Sequence, residues 1–135
     1  MSATAPSPAS PEATVDEFIR RVVTLDLDGA CELVSDDLEY DNVPVGKNHG
    51  PAGLKTFLAM MFSRFAEVQF VIHRQVAAGS TVMNERTDRF RLGEQWIDLP
   101  VAGVFEVNAD GKITLWRDYF DMATFTNEMT RVTAG

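Results

Sequence analysis

The 135 residues contain a single cysteine, Cys31, and only two histidines, His49 and His73. A lone cysteine excludes an internal disulfide framework, and two distant histidines lack the close spacing of a metal site, so no metal is expected. Basic residues are also scarce. Twelve Lys and Arg face twenty Asp and Glu, and the formal charge of −8 repels phosphate backbones and anionic membrane surfaces. Nucleic acid and membrane are therefore not expected partners. No G-x-S-x-G occurs, which leaves no nucleophile elbow of the α/β-hydrolase kind. No apolar run reaches the length of a transmembrane span or follows a basic segment as in a signal peptide, so the expected compartment is the cytoplasm.

With 45% hydrophobic residues the chain can bury a sizeable core, yet it is too short for two ordinary domains. Residues 1–10, MSATAPSPAS, are small, polar and proline-rich and are expected to form a disordered tail. One domain is expected over residues 11–135. Ser10-Pro11 reads as a helix start, and Val15, Phe18, Ile19, Val22 and Val23 follow at core-facing helical spacing. A short helical turn is expected over residues 30–34, then a strand over 38–43 and a break over 45–50. A second amphipathic helix over 51–65 carries Leu54, Phe57, Leu58, Met61 and Phe65 on one face.

The period then changes. Residues 68–76, 81–92, 96–107 and 113–120 read as four successive strands separated by turn signals, each antiparallel to the one before. A short helix over 122–131 closes the chain. Pro100 inside the third of these strands removes a ladder donor and predicts an edge or a bulge. Helices first and a meander after predict an α+β fold: a curved, largely antiparallel sheet with the N-terminal helices packed on it, forming a pocket on its concave face.

Side chains alternate across a strand, and this locates the chemistry. Over 81–92 one face carries Val82, Asn84, Arg86, Asp88, Phe90 and Leu92, while the other carries Glu85, Arg89 and Arg91 and belongs in water. Arg86 and Asp88 therefore share the core-facing side. Asp118 shares a face with Trp116 and Phe120, and Tyr40 and Asn42 share one with Leu38. An unpaired charge in an apolar interior is costly, so two aspartates and one arginine facing inward imply an assembly in which one guanidinium holds both carboxyl groups. One carboxyl then keeps its proton and the other stays ionised, placing an acid beside a base. Each feature alone has a plainer explanation: Arg-x-Asp is often a surface ion pair, and Tyr40 and Asn42 a core phenol and a turn amide. Their coincidence on three inward faces gives the functional reading its weight. The histidines read as ordinary surface groups, Cys31 as a buried structural thiol, and Met60, Met61 and Phe62 as core that can in part line a pocket.

Tyr40-Asp41-Asn42, Glu85-Arg86-Thr87-Asp88, Gly103-Val104-Phe105 and the run from Gly111 to Asp121 containing Trp116-Arg117-Asp118-Tyr119-Phe120-Asp121 carry a family pattern. Through them the chain resembles the limonene-1,2-epoxide hydrolases, on the cone-shaped SnoaL-like fold shared with nuclear transport factor 2, ketosteroid isomerases and polyketide cyclases. The resemblance implies a deep apolar pocket and an epoxide hydrolase that adds water to a lipophilic epoxide and gives a vicinal diol, without cofactor. It implies Asp118 as general base, Tyr40 and Asn42 as holders of the attacking water, Asp88 as general acid and Arg86 as the bridge between the aspartates. Phe90, Leu99, Val101, Phe120 and Phe125 would line the substrate pocket, and the enzyme would be a homodimer. A ketosteroid-isomerase-like or polyketide-cyclase-like enzyme, or a non-catalytic binder of small lipophiles, is the alternative on the same fold; Arg86 between the aspartates argues against the isomerase.

Overall fold

The computed structural model describes residues 9–134, so the expected tail lies outside the described residues except for Ala9 and Ser10. Helix α1 (Pro11–Val23) begins where Ser10 accepts from the Ala13 N–H with Pro11 in the first turn. It buries Thr14, Val15, Phe18, Ile19 and Val22, while Val23 is half-buried. The expected turn at 30–34 lies earlier, as α2 (Leu27–Cys31), because the Asp26 carboxylate caps the Gly29 N–H at 3.0 Å. Strand β1 (Val34–Asn42) accordingly starts four residues sooner than expected.

The supposed break contains strand β2 (Gly46–His49), which forms a hairpin with β1 through Tyr40↔Asn48 and Asn42↔Gly46. Four residues without apolar alternation carry too little signal to reveal such a strand. Helix α3 (Gly50–Phe62) ends three residues before its expected limit, yet Phe65 beyond it is still buried. Strands β3 (Glu67–Ala78), β4 (Thr81–Leu92), β5 (Gln95–Val107) and β6 (Ile113–Tyr119) follow, and α4 (Met122–Ala134) closes the chain. Gly79, Gly93 and Gly111 hold positive φ in the three turns of the meander.

The sheet order is β2-β1-β6-β5-β4-β3, antiparallel throughout except for the parallel pair β1·β6. That parallel pair sets Tyr40 beside Trp116 and Asn42 beside Asp118. Helix α1 packs over β3, β4 and β5, and α3 over β1 and β2. The core between them centres on Phe18, whose ring stands edge-on to Trp116 at 5.2 Å and to Phe105 at 6.5 Å.

Strand β6 pairs with β5 only from Ala102 onward, so the first half of β5 has a free edge, and Pro100 lies on it as its missing N–H requires. Helix α4 covers this edge. Arg131 donates to the Trp96 carbonyl at 2.8 Å, and the Asp98 N–H donates to Glu128 at 3.3 Å. No residue of α4 is fully buried, and Phe125, Met129 and Val132 pack only partly against the core. Among the described residues no helix is long and apolar enough to cross a membrane.

Candidate active site

Strand alternation delivers the charged groups inward as expected. On β4, Val82, Asn84, Arg86, Asp88 and Phe90 are buried; on β6, Trp116 and Asp118; on β1, Leu38, Tyr40 and Asn42. The Arg86 side chain is 0% exposed. Its Nε and one Nη2 hydrogen chelate both oxygens of Asp88 at 2.9 Å, and its Nη2 and Nη1 also reach Asp118 Oδ2 at 2.8 Å and Oδ1 at 3.2 Å. The remaining Nη1 hydrogen goes to Asn84 Oδ1 at 2.9 Å. All five guanidinium donors are thus engaged inside the protein, two on each carboxylate and one on an amide.

The two aspartates differ in their surroundings. Asp118 also accepts from Trp116 Nε1 at 2.8 Å, whereas among the described residues both Asp88 oxygens receive only from Arg86. Burial pushes the Asp88 pKa up to about 6 despite the opposing pull of Arg86, and the Asp118 charge adds to the rise. Burial alone would lower the Arg86 pKa, but the carboxylates of Asp118 and Asp88 more than reverse it, so the guanidinium stays charged. Burial, reinforced by the negative charge of Asp118, raises the Tyr40 pKa well above that of a free phenol, which keeps the hydroxyl protonated. Asn42 Nδ2 is buried without a hydrogen-bond partner among the described residues.

These polar groups border an apolar cavity of about 560 Å³ including its open mouth. Asp88, Asp118, Tyr40 and Asn42 lie in its wall, and Arg86 sits behind the aspartates. Phe90, Leu99, Val101, Phe120 and Phe125, expected from the resemblance to line a pocket, all do so. Sequence reasoning missed Phe70, whose ring lies 4.9 Å from the guanidinium carbon, and the hydrogen bonds of Asn84 and Trp116. Asn84 and Trp116 already stood on the inward faces in the sequence pattern, but nothing there shows which polar atoms meet.

Other expectations need correction. Met60 is 63% exposed, since the α3 stripe passes through Leu58, Met61 and Phe62 instead; Met61 and Phe62 line the cavity. Cys31 is half-buried rather than buried, with its thiol against the Pro51 carbonyl at 3.3 Å. His49 and His73 are exposed, as expected. Among the described residues no group of three or more His, Cys, Asp or Glu side chains is arranged to hold a metal ion.

A model of the limonene-1,2-epoxide hydrolase catalytic domain matches residues 9–131, which includes every residue of this site. The chain belongs to that family. Epoxide hydrolase EphG of Mycobacterium tuberculosis is 40% identical over 108 residues, 80% of this chain and 71% of EphG. A solved structure of an M. tuberculosis limonene-1,2-epoxide-hydrolase-like epoxide hydrolase superposes with a TM-score of 0.79 at 33% identity, covering 96% of this chain and all of that one. A SnoaL-like polyketide cyclase structure from Shewanella denitrificans shares the fold, with a TM-score of 0.81 over 90% of this chain and 97% of its own, at 14% identity. Family membership makes the chain an epoxide hydrolase.

Proposed function

We propose that this member of the limonene-1,2-epoxide hydrolase family adds water to a lipophilic epoxide, terpene-like, cyclic, alkyl or aryl, in one step and releases a vicinal diol. The observation that carries this reading is the single buried guanidinium holding two carboxylates at the wall of an apolar cavity, with one of them, Asp88, raised to about 6. An acid poised near neutral pH beside a second carboxylate suits push-pull chemistry.

In this scheme a water donates one hydrogen to Asp118 and the other to the Tyr40 hydroxyl oxygen. One of its lone pairs accepts from Asn42 Nδ2, the buried donor without a partner among the described residues. The remaining lone pair attacks an epoxide carbon as Asp118 takes the proton. The C–O bond breaks toward oxygen, and that oxygen takes the Asp88 proton. Epoxide and water are consumed one for one, and a proton returned from Asp118 to Asp88 restores the starting state. The scheme uses no cofactor and no metal. Phe90, Leu99, Val101, Phe120 and Phe125 seat the apolar part of the substrate. A homodimer, tested by sedimentation equilibrium, and a cytoplasmic location belong to the same proposal.

The test is a panel of terpene, cyclohexene and styrene-type epoxides assayed for diol without added cofactor. Asp88→Asn and Asp118→Asn should each lower turnover by roughly 10²–10⁴-fold with the fold retained. Isotopically labelled water should deliver its oxygen to the diol in a single turnover. Inactivity across the panel, or label appearing first in an aspartate, overturns the reading.

A further inference from the structure

A single row of residues crosses five strands: Gln75 on β3 beside Asn84, Asn84 beside Gly103, Gly103 beside Asp118, and Asp118 beside Asn42 on β1. Arg86 belongs to the next row, paired with Val101 on β5. Strand β5 separates β4 from β6, so the guanidinium must cross a whole strand to touch Asp118. It does so over Gly103. A methyl group built there would press into Arg86 Nη1 and lie 2.8 Å from Asp118 Oδ1 and 2.9 Å from Asn84 Oδ1. The glycine is thus a notch in the sheet surface, and the three polar groups meet above it.

The fifth donor adds a constraint on that angle beside the two bonds to Asp118 and the Phe70 ring. Arg86 chelates its near neighbour Asp88 through Nε and Nη2, which leaves the Nη1 end of the fork to be placed. At that end Nη1 meets Asn84 at 2.9 Å, a shorter bond than its 3.2 Å contact with Asp118. Asn84 is itself held: its Nδ2 donates to Gln75 Oε1 at 3.0 Å, and Gln75 Nε2 donates to Asp16 at 2.9 Å and Glu12 at 3.3 Å on α1. With its NH₂ committed to Gln75, the amide presents only oxygen to Arg86. Asn84 does not line the substrate cavity.

We propose that Asn84 is a positioning residue for catalysis, which, with the notch at Gly103, sets the Arg86 guanidinium so that it bridges the general acid and the general base. This rests on the function proposed above. Removing the amide oxygen frees one buried donor and loosens the Nη1 end of the guanidinium, where it also meets Asp118, without touching the substrate.

The test compares Asn84→Leu with Asn84→Asp. In the leucine variant kcat should fall by about tenfold or more while KM stays within about twofold, since only the reacting groups are disturbed. The aspartate variant keeps an acceptor oxygen in place, and the Gln75 amide can reverse to serve it at the loss of its exposed bonds to Asp16 and Glu12. Its kcat should lie within about threefold of the parent, with the pH–rate profile moved to higher pH, because a third carboxylate on one guanidinium raises proton affinity. Gly103→Ala should depress kcat like the leucine change. Parent-like kcat in Asn84→Leu, or an Asn84→Asp variant as slow as the leucine one with an unmoved profile, overturns the assignment. Should the leucine variant not fold, the aspartate profile decides alone. If the parent forms no diol, the proposed function fails first. The Asn84 contact is then read without substrate by carboxyl ¹³C NMR, where Asn84→Asp must raise the Asp88 titration and an unchanged one overturns the contact.

Discussion

Trp116 Nε1 donates to Asp118 Oδ1 across 2.8 Å, from two residues earlier on the same face of β6. The same indole stacks on Tyr40 with ring centres 4.3 Å apart and an interplanar angle of 16°. One fully buried side chain therefore steadies both the proposed base and the phenol proposed to hold water. Trp116→Phe keeps an aromatic ring and deletes the donor. A hydrogen bond to a charged acceptor contributes about 1.5–3 kcal/mol, so kcat should drop by about tenfold or more. Steady-state kinetics beside a melting curve separates this from unfolding, and an unchanged kcat would remove Trp116 from the base's support.

Arg86→Met isolates the structural share of the ionic cluster. Two buried carboxyl groups would lose their common partner, and breaking such a pair costs about 3–5 kcal/mol near neutral pH. The loss should shrink near pH 4, where the stranded carboxyls can take up protons. Urea unfolding at both pH values measures the difference. A midpoint independent of the substitution would contradict the burial of the guanidinium.

Much of this site was legible because β4 alternates from Val82 to Phe90 and β6 does so from Trp116 onward: Asp88 and Asp118 stand two residues from Phe90 and Trp116, and burial followed from period there. The resemblance then assigned the cavity wall, from Phe90 to Phe125. The parallel pairing of β1 with β6 was not legible, because register between strands seventy residues apart depends on tertiary packing rather than on local pattern. Without it Asn42 cannot be set beside Asp118. Strand β2 escaped for another reason: Gly46 to His49 are polar or small and largely exposed, and their pairing is a product of the hairpin with β1. Asn84 lay in plain view on the inward face, but a hydrogen bond to one guanidinium nitrogen is a matter of ångströms, which periodicity does not encode.

The raised Asp88 pKa makes both activity and stability fall with rising pH, for one reason. Burial holds the proton until about pH 6, whereas the unfolded chain releases it near the ordinary aspartate value. The native state therefore binds more protons between about pH 4 and 6. Its contribution is fully present below the unfolded pKa and is lost as pH rises through the folded one, by on the order of 3 kcal/mol at most. Asp88→Asn should flatten this decline in a urea series across that range. In the parent, kcat/KM should also fall above about pH 6 as the acid loses its proton, and a rate that keeps rising there would reassign the general acid.

Helix α4 couples the sheet edge to the cavity, because Glu128 caps the Asp98 N–H while Phe125 and Met122 on the same helix line the cavity wall. Glu128 also pairs with Arg131, which itself caps the Trp96 carbonyl, so one carboxylate organises both edge contacts. Arg131 is half exposed and Glu128 a quarter, so water can reach the site and replace a lost contact; Glu128→Ala should therefore cost about 1 kcal/mol of stability. Its larger effect is on how firmly the helix seats. Amide exchange at Asp98 and along α4 should quicken, and KM should rise by about threefold with kcat little changed, because only the apolar wall has loosened. If exchange quickens but KM does not move, Phe125 is held by its own packing against the core and the edge contacts do not shape the substrate site.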